Sequence, residues 1–158
     1  MSDYIRPTWD EYFFGVMEAV SKRGSCDRGR SGCVIVKNKQ ILTSGYVGAP
    51  SGFPQCDEVG HQIKKTIHED GTISEHCCRT LHAENNAILQ AAKNGISLKD
   101  STLYCRMTPC RNCAMSIVSV GIKEVKCQRK YKNAFEGEEI LNQGGVKISY
   151  ISEDVEKY

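Results

Sequence analysis

Apolar positions along the chain fall into two rhythms, separated by one stretch that has neither. Phe13, Phe14, Met17 and Val20 recur at helical spacing. They follow Thr8-Trp9-Asp10-Glu11, which has the form of a capping box, and precede Gly24, a natural stop. A first helix is expected over about residues 9–23. Two short β-rich runs, Cys33 to Val36 and Gln40 to Tyr46, flank the polar turn Lys37-Asn38-Lys39 and read as an antiparallel hairpin. Between Val47 and Arg79 the pattern dissolves among Pro50, Pro54 and four glycines, and three of the four histidines lie there. This reads as a long loop, which in a compact domain needs a function or something that orders it. Regularity returns with a helical run from His82 to Asn94, closed by Gly95. A strand follows over 101–107. Thr108-Pro109 then reads as N-cap and first helical residue of a helix that ends at Gly121. A strand over 124–128, a short helix over 135–142 and a strand over 146–151 complete the chain. Alternating helices and strands after an antiparallel hairpin predict an α/β sandwich on a mixed sheet.

The composition narrows the class. The 158 residues carry 21 Lys and Arg against 19 Asp and Glu, a net charge of +2, so nothing suggests a dedicated nucleic-acid binder. The 40% apolar and 25% charged fractions are those of a globular protein. The length suits one domain over 1–158. No apolar run approaches the roughly 18 residues of a membrane span. MSDYIRPTWDEYFF lacks the basic start and apolar core of a signal peptide, so a cytoplasmic, soluble protein is expected. The abnormal number is nine cysteines. In a reducing compartment a disulfide framework explains them poorly, and the odd count would leave one over, which makes metal binding the better reading.

Two motifs carry the chemistry. His82-Ala83-Glu84 opens one expected helix and Pro109-Cys110-Arg111-Asn112-Cys113 opens another. Each alone is weak. Together, in this order, they are the signature of zinc-dependent nucleobase deaminases. Cys110 and Cys113, three apart, place two sulfurs on one helix face. The positive end of the macrodipole there favours the thiolate, the form that ligates zinc. His82 supplies a neutral nitrogen, and three protein ligands leave a fourth position open, as in catalytic zinc sites. Glu84, two residues from His82, is the candidate general acid and base rather than a ligand. Cys33, Cys105 and Cys127 sit in expected strands and read as core. Glu136-Gly137-Glu138-Glu139 reads as a solvated helix face.

Beyond these motifs, the run from Gly45 to Gly52, then Cys56, then the run from His76 to Glu84 resemble the deoxycytidylate (dCMP) deaminase family, and the likeness extends from about Thr8 to Tyr131. The resemblance implies the cytidine-deaminase fold, a three-layer α/β/α sandwich with a mixed five-stranded sheet. It implies conversion of dCMP to dUMP and ammonia, supplying thymidylate synthesis. It also implies a homohexamer, activation by dCTP and inhibition by dTTP, Mg2+ accompanying the effector nucleotide, and a role for the long loop in effector binding. Substrate contacts are implied at Arg23, Ala83 and Tyr131. Arg23 reads equally as a cation opposing the helix dipole, and Lys130 and Tyr131 as an ordinary strand end. Relatives usually carry asparagine where this chain has Val47, which cannot hydrogen-bond. That departure leaves other aminohydrolases of the superfamily as rivals, acting on cytidine, modified dCMP or tRNA adenosine. A zinc-stabilised interaction module without turnover is the rival from another class.

Some relatives order the loop with a second, structural zinc. Here the proposed ligands are Cys26, Cys56, His61 and Cys77, with His76 or Cys78 as substitutes. Buried small thiols are the alternative.

Overall fold

The computed structural model describes residues 3–156. Positions 1, 2, 157 and 158, the two ends of the single domain expected from the sequence, lie outside the described residues. The elements run α1 (Trp9–Ser21), β1 (Gly32–Lys37), β2 (Gln40–Tyr46), α2 (Cys56–Val59), β3 (Ile63–Ile67), β4 (Ile73–Cys77), α3 (Ala83–Lys93), β5 (Thr102–Met107), α4 (Arg111–Ser119), β6 (Glu124–Tyr131), α5 (Ala134–Gln143), β7 (Lys147–Tyr150) and β8 (Val155–Glu156).

The main sheet has the order β2-β1-β5-β6-β7, with β8 paired to the far end of β6. β1 is antiparallel to β2 and β5, and β5, β6 and β7 are parallel, so the sheet is mixed as the alternation implies. Period-2 alternation sends β1 side chains to two different layers. Val34 and Val36 pack with Tyr104 against Phe13, Phe14 and Met17 of α1. Cys33 and Ile35 pack with Leu103, Cys105, Val125 and Cys127 against the buried faces of α3, α4 and α5. These three cysteines are core, as read from the sequence. The result is a three-layer α/β/α sandwich. The capping box of α1 is also present, with Glu11 Oε2 accepting from Thr8 N at 2.7 Å.

Three expectations need correction. First, residues 47–79 are not all loop. They contain the short α2 and an antiparallel β3–β4 hairpin whose side chains are almost all exposed. An apolar-pattern reading misses such a hairpin because neither face is buried. Second, α4 begins two residues later than expected: Cys110 is the N-cap and Arg111 the first helical residue. Thr108 is instead buried between strands, where its Oγ1 accepts from Tyr131 N at 3.1 Å and hydrogen-bonds Tyr150 Oη at 2.9 Å. Third, 136–139 is a solvated face only in part: Glu136 and Glu139 are exposed, but Gly137 and Glu138 are not. Gly137 is pressed against the carbonyl of Pro109, where any Cβ would collide with backbone. Glu138 accepts from Tyr150 Oη at 2.8 Å and pairs with Lys130 at 3.0 Å. Among the described residues, no helix is long and apolar enough to cross a membrane.

Candidate metal centre and cleft

Two helix N-termini converge on one point. His82 is the N-cap of α3 and Cys110 the N-cap of α4. α3 is held there by a close approach to β2 at Gly45, where a side chain would meet the backbone of Ala83, Asn86 and Ala87. A backbone bridge between Gly48 and Leu81 fixes the residue just before His82. Asn86 Nδ2 donates to the carbonyls of Tyr46, at 2.8 Å, and Gly48, at 3.2 Å. On the other side, Gly137 of α5 packs directly on the turn that carries Cys110.

His82 Nδ1 lies 3.4 Å from Cys110 Sγ and 3.5 Å from Cys113 Sγ. The three donors all fall within 4.8 Å of one another. Contact with the Cys113 thiol and with His82 draws the Cys110 thiol down to about 4, while Cys113 is pushed up because it keeps the proton the pair shares. Hydrogen bonding to Cys110 raises His82 to about 9. A donor set of two sulfurs and one imidazole, one sulfur already favouring thiolate, fits zinc and leaves room for a further ligand. Glu84 stands beside it, 7% exposed, and burial raises its carboxyl above the ordinary range.

These residues form part of the wall of a cleft of about 230 Å³. Ala83 and Tyr131 line it, as does Val47. Arg23 does not: it is exposed, and the arginine in the cleft wall is Arg28. Lys130 is committed to Glu138 and to the Tyr150 ring. Sequence reasoning missed Arg28, His68, His76, Asn133 and Glu136 as lining residues. The one signal for the hairpin that brings His68 and His76 there is Asp70-Gly71, a turn dipeptide whose glycine has φ 81°.

A second group of donors gathers under the hairpin. Cys26, Cys56, His61 and Cys77 offer four atoms within 4.8 Å of one another. Cys26 Sγ is 3.6 Å from His61 Nδ1, and Cys56 Sγ is 3.5 Å from Cys77 Sγ. Burial and the two neighbouring thiols push Cys56 up to about 12, while Cys77 settles at about 6 where backbone hydrogen bonds from Arg79 and Gln62 outweigh its burial. The other nitrogen of His61, Nε2, is 3.0 Å from Asp27 Oδ1. His76 and Cys78 stay outside this group: His76 bonds Ser74, and Cys78 is exposed.

A sandwich of this topology with a His-Cys-Cys centre and an adjacent carboxylate defines a zinc-binding deaminase module. The profile of the "Cytidine and deoxycytidylate deaminase zinc-binding region" matches residues 7–129, and the chain belongs to that family. It is 34% identical to the deoxycytidylate deaminase of Mycobacterium phage D29, over 76% of this chain and 94% of that protein. It is 32% identical to the deoxycytidylate deaminase of Saccharomyces cerevisiae, over 96% of this chain but 47% of the yeast protein, so the chain spans about half the length of that relative. Among solved structures, the dCMP deaminase of cyanophage S-TIM5, in complex with dCMP and dUMP, superposes with a TM-score of 0.74 at 31% identity, covering 94% of this chain and all of that one.

Proposed function

We propose that the chain is a zinc-dependent dCMP deaminase that hydrolyses dCMP to dUMP and ammonia through a single deaminase domain. The observation that carries this reading is a buried glutamate beside three converging donors in the wall of a nucleotide-sized cleft. His82, Cys110 and Cys113 would hold the zinc, which when bound supplies Lewis-acid activation of water at neutral pH. Glu84 takes a proton from the attacking water and gives it to the ring nitrogen N3, then takes the remaining proton from the newly added hydroxyl and delivers it to the departing amine. One C–N bond breaks, one C–O bond forms, and ammonia leaves. Burial suits Glu84 to this work, because it raises the proton affinity of the carboxyl and so makes it a better proton acceptor than an exposed carboxylate. Val47 closes its part of the wall without a hydrogen bond, and Ala83 and Tyr131 complete contacts to the substrate.

Cys26, Cys56, His61 and Cys77 would hold a second, structural zinc. Four donors suit a closed site, and Asp27 orients the imidazole as a carboxylate partner of a ligating histidine does. The homohexamer, the dCTP and dTTP effectors with Mg2+, the thymidylate-supplying role and the cytoplasmic setting belong to this reading by family resemblance.

Purified protein offered dCMP, deoxycytidine, cytidine and a tRNA substrate is expected to release ammonia fastest from dCMP, and to carry two zinc ions per chain. Preference for a nucleoside or for tRNA would replace dCMP with one of the rival aminohydrolase substrates. Absence of turnover on all four would favour the interaction module.

A further inference from the structure

Two parallel strands, β5 and β6, end at the cleft, and Met107, Thr108 and Tyr131 from those ends line its wall. The strands do not end together. The last β5–β6 pair is Met107 with Arg129, so Tyr131 lies past the end of that ladder. The amides on either side of it turn to the opposite neighbour: Lys130 N donates to the Asp154 carbonyl at 3.0 Å and Lys132 N to the Glu156 carbonyl at 3.3 Å. Strand alternation points the amide of Tyr131 the other way, where a longer β5 would have supplied a carbonyl. The Thr108 hydroxyl takes that place and accepts from Tyr131 N at 3.1 Å.

That hydroxyl is not free to turn. Thr108 is buried, and its Oγ1 is 2.9 Å from Tyr150 Oη at the end of β7. Tyr150 donates in turn to Glu138 Oε1 of α5 at 2.8 Å, and Lys130 Nζ lies 3.0 Å from the same oxygen. Burial works against the charge on Glu138, but the hydrogen bonds from Tyr150 and Lys130 outweigh it and hold the carboxyl below its ordinary range. An ionised carboxylate only accepts, and a phenol has one hydrogen to give. The phenol hydrogen therefore goes to Glu138, the Thr108 hydrogen goes to Tyr150, and the Thr108 oxygen is left to accept from Tyr131 N. Each hydrogen in this chain has one place, and the charge at its far end strengthens the bonds before it. Glu138 is held at that end by its neighbour Gly137, which packs on the Pro109 carbonyl.

We propose that Thr108 and Tyr150 are positioning residues for substrate binding: anchored on Glu138, they fix the backbone at Tyr131 and so hold its ring against the bound nucleotide. The proposal rests on the deaminase reading, which makes Tyr131 a substrate contact. Tyr150 and Glu138 are not part of the cleft wall, so their effect on the substrate passes through Thr108 and Tyr131. A contact made equally in the bound substrate and in the transition state changes KM and leaves kcat in place.

The test uses zinc-loaded full-length chains and four readouts: kcat and KM for dCMP, dUMP binding by calorimetry, zinc content, and Tm. Tyr150→Phe removes one link, and should raise KM and weaken dUMP binding about 3–10-fold, with kcat within about 2-fold of wild type and zinc content unchanged. Thr108→Val should reproduce these losses, whereas Thr108→Ser, which keeps the hydroxyl, should stay near wild type. Tyr104→Phe is the control, because it removes another phenol that donates to a carboxylate, Asp10 Oδ1 at 2.6 Å, but in the α1 layer. It should lower Tm and leave KM unmoved. In a Tyr131→Ala background, Tyr150→Phe should weaken dUMP binding no further, since the ring it positions is gone. An equal loss in that background, an equal KM rise in Tyr104→Phe, or unchanged dUMP binding in Tyr150→Phe would overturn the proposal. Unchanged dUMP binding in Tyr131→Ala would also overturn it, while turnover of dCMP by wild type keeps the deaminase reading intact. If wild type does not turn over dCMP yet dUMP binding follows the expected pattern, the deaminase reading fails and the positioning of Tyr131 stands.

Discussion

His82, Cys110 and Cys113 come from two helix N-termini wedged between a sheet and three helices, whereas Cys26, Cys56, His61 and Cys77 come from two connecting segments, the start of the four-residue α2 and one hairpin end. The first group is placed by the core: remove any cation and Gly45, Gly137 and the Gly48–Leu81 bridge still set the two helix starts against each other. In the second group Cys26 and Cys56 are buried with the main core, but the hairpin that supplies Cys77 has little else to place it, because β3 and β4 expose nearly all their side chains. Structural metal sites contribute folding free energy where a segment cannot bury enough apolar surface. The same contrast appears in the neighbouring carboxylates. Glu84 is buried outside the three-donor group, which leaves it for the proposed proton transfer. Asp27 is exposed and spends its contact on His61. In the proposed reading, three donors with a buried acid make a site that reacts, and four donors with an outer carboxylate make a site that holds.

The sharpest way to break this contrast is Glu84→Gln. A lost general acid and base should lower kcat by about 10²–10⁴-fold while both zinc ions remain by elemental analysis. Near-normal turnover would remove the glutamate from the chemistry. Next in size is Cys77→Ser, which should take metal content from two equivalents to one and open residues 60–77 to limited proteolysis. A variant that keeps two equivalents and resists the protease would show that packing, not metal, orders the hairpin. Smaller again, Asp27→Asn should weaken metal retention at the loop site alone, about 10-fold in a chelator titration, because the imidazole loses its orienting partner. Equal weakening at both sites would mean that the two centres are not built independently.

The smallest effect is expected on the sheet face that carries neither group. Asp10 accepts from Lys126 Nζ at 2.8 Å and from Tyr104 Oη at 2.6 Å. Partial burial works against its ionised form, but these hydrogen bonds outweigh it and hold the carboxyl below its usual value. A depressed folded-state pKa contributes stability above the unfolded value of about 3.9, and that contribution is lost as pH falls through the lower folded value. With both partners partly exposed, Asp10→Asn should cost about 0.5 kcal/mol or less in urea unfolding at pH 6, and the gap should narrow as pH falls below about 3.9. A gap unchanged with pH would assign the effect to packing. Metal content should not move.

Much of this was legible in the chain. Helix periodicity, the capping box and the 37–39 turn are local, and the observed elements fall within a few residues of expectation. The three-ligand centre was legible because its residues sit at helix starts, where i, i+3 spacing alone puts two sulfurs on one face. The hairpin was not, because its exposed Ile63, Ile67 and Ile73 make no buried stripe to read. Nor was the cleft arginine. Arg23 and Arg28 differ little in local context, and only the path of the chain after α1 brings Arg28 to Glu75. The role of Gly137 was hidden by the carboxylates around it, since a close approach between two backbones leaves no trace in either segment.

By itself the sequence determined which chemical groups exist and how near neighbours are spaced, because backbone stereochemistry acts over a few residues. Tertiary structure decided which distant groups meet. Strand alternation gives Cys77 to the loop cluster and turns His76 toward Ser74, and the register of β4 against β3, with Cys77 opposite Ile63, settles that division. A shift of one position in that register would exchange their roles, and no local preference along the chain forbids it.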